Sequence, residues 1–415
     1  MIGSGIFLLP STLALYGGIS LIGWLCSSIG AILLAIVFGN LAKLAPQTTG
    51  GPYAYTRLGL GDFPAYLVAW GYWVSIWCTN AAIAVALVGY LEVFFPSLAV
   101  NPVASISTGL FIIWLFTWIN SKDLKTIALI QVITTILKIA PIILVGFIGV
   151  FYIKMDHFLP FNLSVESNIS AITATTTLTL FAFLGMESAT IPSSNIENPE
   201  NTIKKATIFG TVITIIVYIL SSIAIMGIIP PEILAQSKAP FADAAMIFWG
   251  ESARYIVAAG AIIATIGALN GWILIQGQIP MAAAKDNLFP KIFGKTNKHQ
   301  SPITGIILSS ILVSLLMLLN YSKTLVEAFT FMMKLSTLSV LTPYLFSTAS
   351  LAILMFINKE KKIRTKLIIA FLAFCFSMWI IIGCGAEIVF WGFLLLMTGI
   401  PFYVLLRRNK IKDHD

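Results

Sequence analysis

Two segments of this sequence place glycine and serine inside otherwise apolar stretches. Gly3-Ser4-Gly5 precedes the first apolar run, and Gly185 lies within a later one, just before Glu187. Glycine and serine weaken a helix, and backbone groups freed within a bilayer must find other partners. The N–H groups at such a break can bind a carboxylate, and its carbonyl groups can accept a hydrogen bond from an ammonium. The two segments therefore predict a site for a zwitterion, the form of a free amino acid.

The composition indicates the elements that must hold these segments. Of 415 residues, 58% are hydrophobic and only 10% are charged, and the mean hydropathy is +0.94. Apolar runs long enough to cross about 30 Å of hydrocarbon recur along the chain. We predict an all-α polytopic membrane protein in a single transmembrane domain, 1–415. A half-span is predicted at 5–16, and full spans at 20–45, 64–94, 103–120, 126–153, 170–190, 207–229, 253–280, 302–320, 326–357, 366–383 and 386–406.

The distribution of cationic residues predicts the orientation. Alternate loops carry 19 of the 25 Lys and Arg residues, whereas the loops on the other side carry four. Positively charged loops stay in the cytoplasm, so we predict a multi-pass protein of the inner (plasma) membrane with a cytoplasmic C-terminus. The net charge of +8 follows from this topology, and nucleic acid is not expected as a partner.

No residue pattern indicates catalysis or a cofactor. The four cysteines and three histidines are dispersed without metal-ligand spacing, and no GxxxxGK[ST] phosphate loop occurs. A channel would carry a filter motif such as TVGYG, which is also missing from the sequence. We predict no cofactor and no enzymatic activity, so a gradient must drive any transport.

The two glycine breaks fall in the first and sixth predicted spans. Paired broken helices five spans apart are typical of transporters built from two inverted repeats. The first repeat is predicted at 1–153, without its first half-helix, and the second at 170–357. Two accessory helices at 366–407 and a tail at 408–415 follow. The alternative for the Gly-Ser-Gly segment is a small-residue surface for close helix packing.

Charged residues within predicted spans are costly, and we single out Glu187 and Lys138, because Lys334 lies nearer the end of its span and can reach the interface. Glu187 follows the second break, and we interpret it as a proton-titrating or coupling residue; the alternative is a buried carboxylate satisfied by backbone donors. Lys138 lies in the middle of the fifth span, where insertion of a lysine costs about 2.5–3.5 kcal/mol. It either exchanges protons or forms a static ion pair with Glu187.

A few aromatic residues occupy positions suited to a ligand. Trp272 follows a glycine in mid-span, Phe181 precedes the second break, and Tyr72 and Trp77 lie on the third span. Such rings attract a cation by about 0.5–2 kcal/mol each. Ordinary packing is the alternative for each of them.

Several motifs occur along the chain in the same order as in a known family. The sequence resembles the amino acid–polyamine–organocation superfamily, and within it the basic amino acid/polyamine antiporters. The segments that carry it are Gly3-Ser4-Gly5-Ile6-Phe7-Leu8-Leu9-Pro10, Gly50-Gly51-Pro52-Tyr53-Ala54-Tyr55, Tyr72-Trp73 with Asn80, Phe183-Leu184-Gly185-Met186-Glu187-Ser188, Glu197-Asn198-Pro199-Glu200, Ala239-Pro240-Phe241, Gly271-Trp272 and Leu288-Phe289-Pro290.

The resemblance implies a leucine-transporter-type fold of two five-helix inverted repeats plus two C-terminal helices. It implies that Ser4 and Gly5 hold the substrate carboxylate, and that carbonyl groups near Phe181 and Leu184 hold its α-amino group. Phe181 stands where an arginine-transporting member has a tryptophan, which weakens the prediction of arginine as substrate. The sequence also departs from the family by lacking the first half-helix.

For the rest of the site, the resemblance implies that Asn80 and Trp272 contact the substrate side chain. Glu187 matches the coupling glutamate of the sixth helix, and Tyr72 matches a gating tyrosine of the third. Lys138 matches a lysine of proton-coupled members, whose ammonium occupies the place of a sodium ion.

The resemblance thus predicts a secondary antiporter of amino acids, chiefly basic ones or their amine products, that works by alternating access. A proton-coupled symporter and a non-transporting amino acid sensor are the alternatives. The expected partners are the small-molecule substrate and the lipid bilayer. The sequence does not determine the oligomeric state, and a homodimer is among the states that it allows.

Overall fold

The structure is a computed structural model, and all of its described secondary structure is helical. It describes residues 3, 5–46, 48–122, 134, 137, 141–191, 198–320, 322–360 and 363–412, with the side chains of 409–412 excepted. Within these ranges there is no strand, which confirms the all-α prediction. Ser4 and Lys138 lie outside the described residues, so their predicted roles stay predictions.

The first part of the chain holds short helices, such as α1 and α3 below, as well as long ones. The helices are α1 (Gly5–Ala14), α2 (Ser20–Leu44), α3 (Pro52–Leu60), α4 (Asp62–Leu91), α5 (Pro102–Asn120) and α6 (Pro141–Tyr152).

The second part begins with the interrupted span. The helices are α7 (Asn168–Leu180), α8 (Pro199–Ile228), α9 (Pro240–Trp249), α10 (Glu251–Lys285), α11 (Ile303–Leu319), α12 (Leu325–Ile357), α13 (Ile363–Cys384), α14 (Ala386–Met397) and α15 (Gly399–Lys412).

The membrane spans follow the predicted apolar runs. In the described ranges, nine helical segments are long and apolar enough to cross a membrane, which confirms a polytopic membrane protein. Two predicted spans appear as shorter apolar helices. For 126–153, the described helix covers Pro141–Tyr152, and for 302–320 it covers Ile303–Leu319. The last predicted span contains α14 and α15, which continue from one to the other at Thr398.

The helices pack around α4. In the most apolar window of α4, 94% of the residues are buried, whereas only 17% are buried in the α14–α15 segment. α4 packs against α12 and α10, and α2 packs against α7 and α8. Large apolar side chains such as Phe371, Ile382 and Phe390 are exposed on the outer helices. An exposed apolar surface of this kind suits a lipid environment.

The described loops divide between two ends of the bundle. The end that holds the α2–α3 and α10–α11 connections is here called the basic end, because it carries Lys43, Arg57, Lys285, Lys291 and Lys295. The α4–α5 and α8–α9 connections lie at the other end, which we call the opposite end. The candidate site described below lies between the two ends.

Glycines allow three helices of the bundle to approach closely. A Cβ atom on Gly23 of α2 would lie 2.4 Å from Thr175 Oγ1 of α7, and one on Gly383 of α13 would lie 2.0 Å from Thr177 Oγ1. A Cβ on Gly30 would similarly collide with the ring of Phe376. Small residues at helix contacts are a common means of association in membranes, and here they join α2, α7 and α13.

This packing predicts that Gly383→Ala destabilises the protein by about 1–3 kcal/mol, because the new methyl group overlaps Thr177 and the carbonyl of Thr173. The matched control is Gly294→Ala, whose methyl group would meet only Ala284 Cβ at an ordinary 3.7 Å. Thermal unfolding of the purified variants in detergent measures the difference. Equal midpoints for the two variants would contradict the proposed helix contact.

Candidate functional site

The span that starts with α7 is interrupted where the sequence predicts it. After Leu180 the chain forms one 3₁₀ turn, Phe181–Phe183, and then Leu184 becomes extended with ψ 141°. Gly185 adopts a left-handed conformation with φ 95°, which glycine tolerates without steric cost. A second 3₁₀ segment, Met186–Thr190, follows. Continuous α-helical hydrogen bonding therefore stops before Gly185.

The first glycine segment lies against this interruption. Gly5 begins α1, and a Cβ atom added to it would lie 3.3 Å from both Ala182 Cα and the ring of Phe181. The Gly3 N–H donates to the hydroxyl of Tyr218 on α8 at 3.3 Å. The two glycine segments predicted to form one site are thus neighbours in space.

A small cavity lies between the two segments. Its volume is about 20 Å³, and its walls come from α1, α4, α10 and the interrupted span. The lining residues are Gly3, Gly5, Thr79, Ile83, Phe181, Ala182, Leu184, Ala268 and Trp272. Because a cavity of this size holds about one water molecule, binding of an amino acid would require the walls to separate.

Larger pockets lie elsewhere, and two of them lie near the opposite end of the bundle. The largest described one has a volume of about 490 Å³ and includes Glu92, Lys238 and Lys323. Volume alone does not identify a functional site, and this pocket contains neither glycine segment. The small cavity is the better candidate because it lies between the start of α1 and the interruption after α7, where backbone groups leave the regular helical pattern.

Glu187 is buried in a cluster with two tyrosines. Tyr72 of α4 donates to Glu187 Oε1 at 2.8 Å, and Tyr344 of α12 donates to Oε2 at 2.8 Å. All three side chains are at most 1% exposed. Hydrogen bonds to an ionised carboxylate contribute about 1.5–3 kcal/mol each. The cluster therefore joins the interrupted span to α4 and α12.

The cluster contains more than the sequence suggested. Two side chains donate to Glu187, whereas one interpretation of the sequence named only backbone donors. Tyr344 was not predicted at all, although a tyrosine within an apolar span is a signal that could have identified it. An ion pair between Glu187 and Lys138 stays a prediction, because Lys138 is outside the described residues.

Asn80 lies beside the cavity without lining it. Its Nδ2 donates to Gln276 Oε1 on α10 at 2.6 Å, and its Oδ1 has no hydrogen-bond partner. Both side chains are completely buried. Gln276 was missed by the sequence analysis, although a glutamine one helical turn after Trp272 places an amide on the same face of α10.

Contacts close the basic end of the site. The Gly50 N–H donates to the Ile191 carbonyl at 3.0 Å, which joins the α2–α3 connection to the interrupted span. Tyr53 of α3 donates to Asp286 Oδ2 at 3.0 Å, and Arg57 forms an ion pair with Asp286 at 3.2 Å. Burial, and then the Asp286 carboxylate, raise the pKa of Tyr53 well above its usual value. Tyr53 is therefore a neutral hydrogen-bond donor.

Other contacts close the opposite end. Tyr90 of α4 donates to the Phe7 carbonyl at 2.7 Å, and Ser11 donates to the Ser237 carbonyl at 2.7 Å. These bonds tie α1 to α4 and to the α8–α9 connection. Lys238 in that connection forms an ion pair with Glu92 at 2.9 Å. The structure thus has its cavity closed at both ends.

Nothing in the described part of the chain suggests a metal centre, because its His, Cys, Asp and Glu residues form no group of three or more suited to an ion. The cavity is lined instead by glycines at the start of α1, by residues of the interrupted span and by the aromatic residues Phe181 and Trp272. This arrangement suits reversible binding of a small zwitterion.

Comparison with known proteins finds relatives that are similar over most of the chain. The chain is 33% identical to an arginine/agmatine antiporter of Chlamydia felis over 97% of this chain and 86% of the relative. It is 30% identical to an arginine/ornithine antiporter of Pseudomonas aeruginosa, covering 96% of this chain and 86% of the relative. A cadaverine/lysine antiporter of Escherichia coli is 34% identical over 77% of this chain and 71% of the relative.

The family-level comparison covers nearly the whole chain. The model of a family described as amino acid permease matches residues 1–404. The match includes the two glycine segments, the Glu187 cluster and all the residues that line the cavity. The chain belongs to the amino acid permease family.

Proposed function

We propose that this protein exchanges basic amino acids, or a basic amino acid and its amine product, across the plasma membrane by alternating access. The observation that carries the proposal is the cavity shared by the start of α1 and the break at Gly185. The relatives support the choice of substrate, since their names specify arginine, ornithine, agmatine, lysine and cadaverine.

The backbone at the two breaks would hold the charged ends of the substrate. Gly5 begins α1, and the N–H groups and positive dipole end of a helix N-terminus favour a carboxylate. Gly5, together with Ser4, which precedes it in sequence, would bind the substrate carboxylate there. The carbonyl groups of Phe181 and Leu184 would accept from the α-amino group. Leu184 is extended, so its carbonyl is outside the regular hydrogen-bonding pattern of a helix.

The substrate side chain would extend toward the aromatic wall. Phe181 and Trp272 both line the cavity, and each ring can attract an ammonium or guanidinium group through its face. Asn80 lies at the edge of this region and would supply a polar contact. A cationic side chain can make both contacts, because its charge is attracted by the rings and its N–H groups can donate to the Asn80 amide.

Glu187, Tyr72 and Tyr344 would form a gate between the cavity and the basic end. Their hydrogen bonds join the interrupted span to α4 and α12, so the path from the cavity opens on that side only when these elements separate. Movement of the Glu187 carboxylate away from or back to Tyr72 and Tyr344 would couple opening of the gate to binding of the substrate. Lys138 would act as a second coupling residue.

Two matching stretches support the proposed inverted repeats. In each, a short helix starts at a proline, Pro52 in α3 and Pro240 in α9, and ends at a glycine with positive φ, Gly61 or Gly250. A long helix follows each time, α4 or α10. The repeats at 1–153 and 170–357 would place α4 and α10 in equivalent positions on either side of the cavity.

The distribution of charge supports a cytoplasmic basic end. Loops at that end hold most of the Lys and Arg residues, and positively charged loops are retained on the cytoplasmic side during insertion. The C-terminus would then be cytoplasmic as well. Substrate would exchange between the cytoplasm at the basic end and the exterior at the opposite end.

We expect the purified protein in proteoliposomes to take up labelled arginine or lysine only when the vesicles are preloaded with a basic amino acid or its amine. Preloading with leucine is the matched control, because it has the zwitterionic end without the cation. Uptake driven by a pH gradient into vesicles without internal substrate would indicate a symporter. Saturable binding without accumulation would indicate a sensor.

The gate predicts that Tyr72→Phe and Tyr344→Phe each change the exchange rate by roughly tenfold, because each removes one hydrogen bond to a buried carboxylate. The double variant should depart from additivity, since both tyrosines bind Glu187. Tyr66→Phe is the control, because this buried α4 tyrosine donates to the Gly399 carbonyl, away from the gate. Additive effects, or an equal loss in the control, would contradict a shared gate.

A further inference from the structure

A buried pair of amides crosses between α4 and α10 beside the cavity. Asn80 donates to Gln276 at 2.6 Å, and neither side chain has any exposed surface. Asn80 lies next in sequence to Thr79, which lines the cavity, and Gln276 lies one turn beyond Trp272, which also lines it. The pair therefore forms part of the structure immediately behind the cavity wall.

The orientation of Gln276 is determined by α11. Its Nε2 donates to the Ile306 carbonyl at 3.1 Å and to Ser310 Oγ at 3.0 Å. Ser310 Oγ donates its own hydrogen to the same carbonyl at 2.9 Å, so it accepts from Gln276. A backbone carbonyl can only accept. The NH₂ group of Gln276 must therefore face α11, and its carbonyl must face α4.

The orientation of Asn80 follows from that of Gln276. Because the Gln276 carbonyl faces it, Asn80 must direct its NH₂ group toward α10. Its Oδ1 is then left as a buried acceptor, and this atom has no hydrogen-bond partner. A buried polar atom without a partner is unusual and requires an explanation, and beside a ligand site a donor group of the ligand is one such explanation.

We propose that Gln276 is a positioning residue that determines which side chains the substrate site accepts. By holding the Asn80 amide, it presents Oδ1 to the substrate and withholds the NH₂ group. The site then favours a side chain that ends in hydrogen-bond donors, such as a guanidinium or an ammonium. This inference rests on the proposed function.

The same geometry disfavours an uncharged analogue of similar shape. Citrulline has the length of arginine but ends in a ureido group, in which a carbonyl oxygen replaces one nitrogen. That oxygen would face the fixed acceptor of Asn80 in one of its two placements, and citrulline also lacks the positive charge. Without Gln276, the Asn80 amide could rotate and donate to the ureido oxygen.

The test is competition by unlabelled citrulline or arginine during counterflow of labelled arginine in proteoliposomes. For Gln276→Leu, we expect the ratio of the citrulline IC50 to the arginine IC50 to fall about tenfold, the effect of one correctly placed hydrogen bond. If Gln276→Leu does not fold, Gln276→Met removes the same amide with an unbranched side chain of similar length.

The matched control is Asn120→Leu. Asn120 of α5 donates to Asn270 Oδ1 on α10 at 3.1 Å, a buried amide pair of the same kind that makes no hydrogen bond to Asn80 and does not line the cavity. We expect this variant to lower the unfolding temperature and to leave the IC50 ratio unchanged.

The outcomes separate the two proposals. Absence of arginine counterflow in the wild-type protein would contradict the proposed function. Wild-type counterflow together with an unchanged ratio in the Gln276 variants would overturn this inference alone, even if their rates fall, because a purely structural role lowers transport of both ligands equally. A lower ratio of the citrulline IC50 to the arginine IC50 in Asn120→Leu would also overturn this inference, because loss of a different buried amide would then have the same effect.

Discussion

The structure depends on one constraint, which is that backbone polar groups within hydrocarbon must find partners inside the protein. The interruption at Gly185 satisfies this constraint locally. The Leu184 N–H donates to the Phe181 carbonyl at 3.1 Å, and the Ser188 N–H and hydroxyl both donate to the Gly185 carbonyl. Surrounding helices bury the break, because Phe181 and Leu184 are each only 4% exposed. A broken helix is stable here because no lipid reaches it, and the same enclosure creates the cavity.

The contacts that close the cavity differ between its two ends. The basic end combines a fully buried carboxylate cluster around Glu187 with an ion pair between Arg57 and Asp286 that is more than one third exposed. An exposed ion pair contributes at most about 1 kcal/mol, so the buried cluster dominates. The opposite end depends on neutral hydrogen bonds such as that from Tyr90 to the Phe7 carbonyl. Under the proposed mechanism, substrate changes the balance only through different affinities for the two open states.

The relatives and the cavity inform different parts of the proposal. Identities of 30–34% over most of the chain establish the family and support basic substrates. The chemistry that would select such substrates depends on individual side chains. Here Gln276, which is behind the cavity wall, orients Asn80 through hydrogen bonds that begin at the Ile306 carbonyl. Specificity in this site is therefore proposed to extend beyond the residues that touch the ligand.

Much of the architecture was predictable from sequence. The apolar runs identified the membrane spans, because span length is a property of local composition. The glycine at 185 indicated a break, since only glycine readily adopts the left-handed conformation found there. The motifs also predicted that Gly5, Phe181, Leu184 and Trp272 belong to one site. These four residues line one cavity.

The sequence by itself determined where helices run, where one of them breaks and which rare charged group lies within a span. Only the tertiary structure decided which side chains meet. It joined Glu187 to Tyr344 across 157 residues of sequence and Asn80 to Gln276 across 196. Local pattern cannot encode such pairs, because whether two polar groups satisfy each other depends on the packing distance and rotation of separate helices.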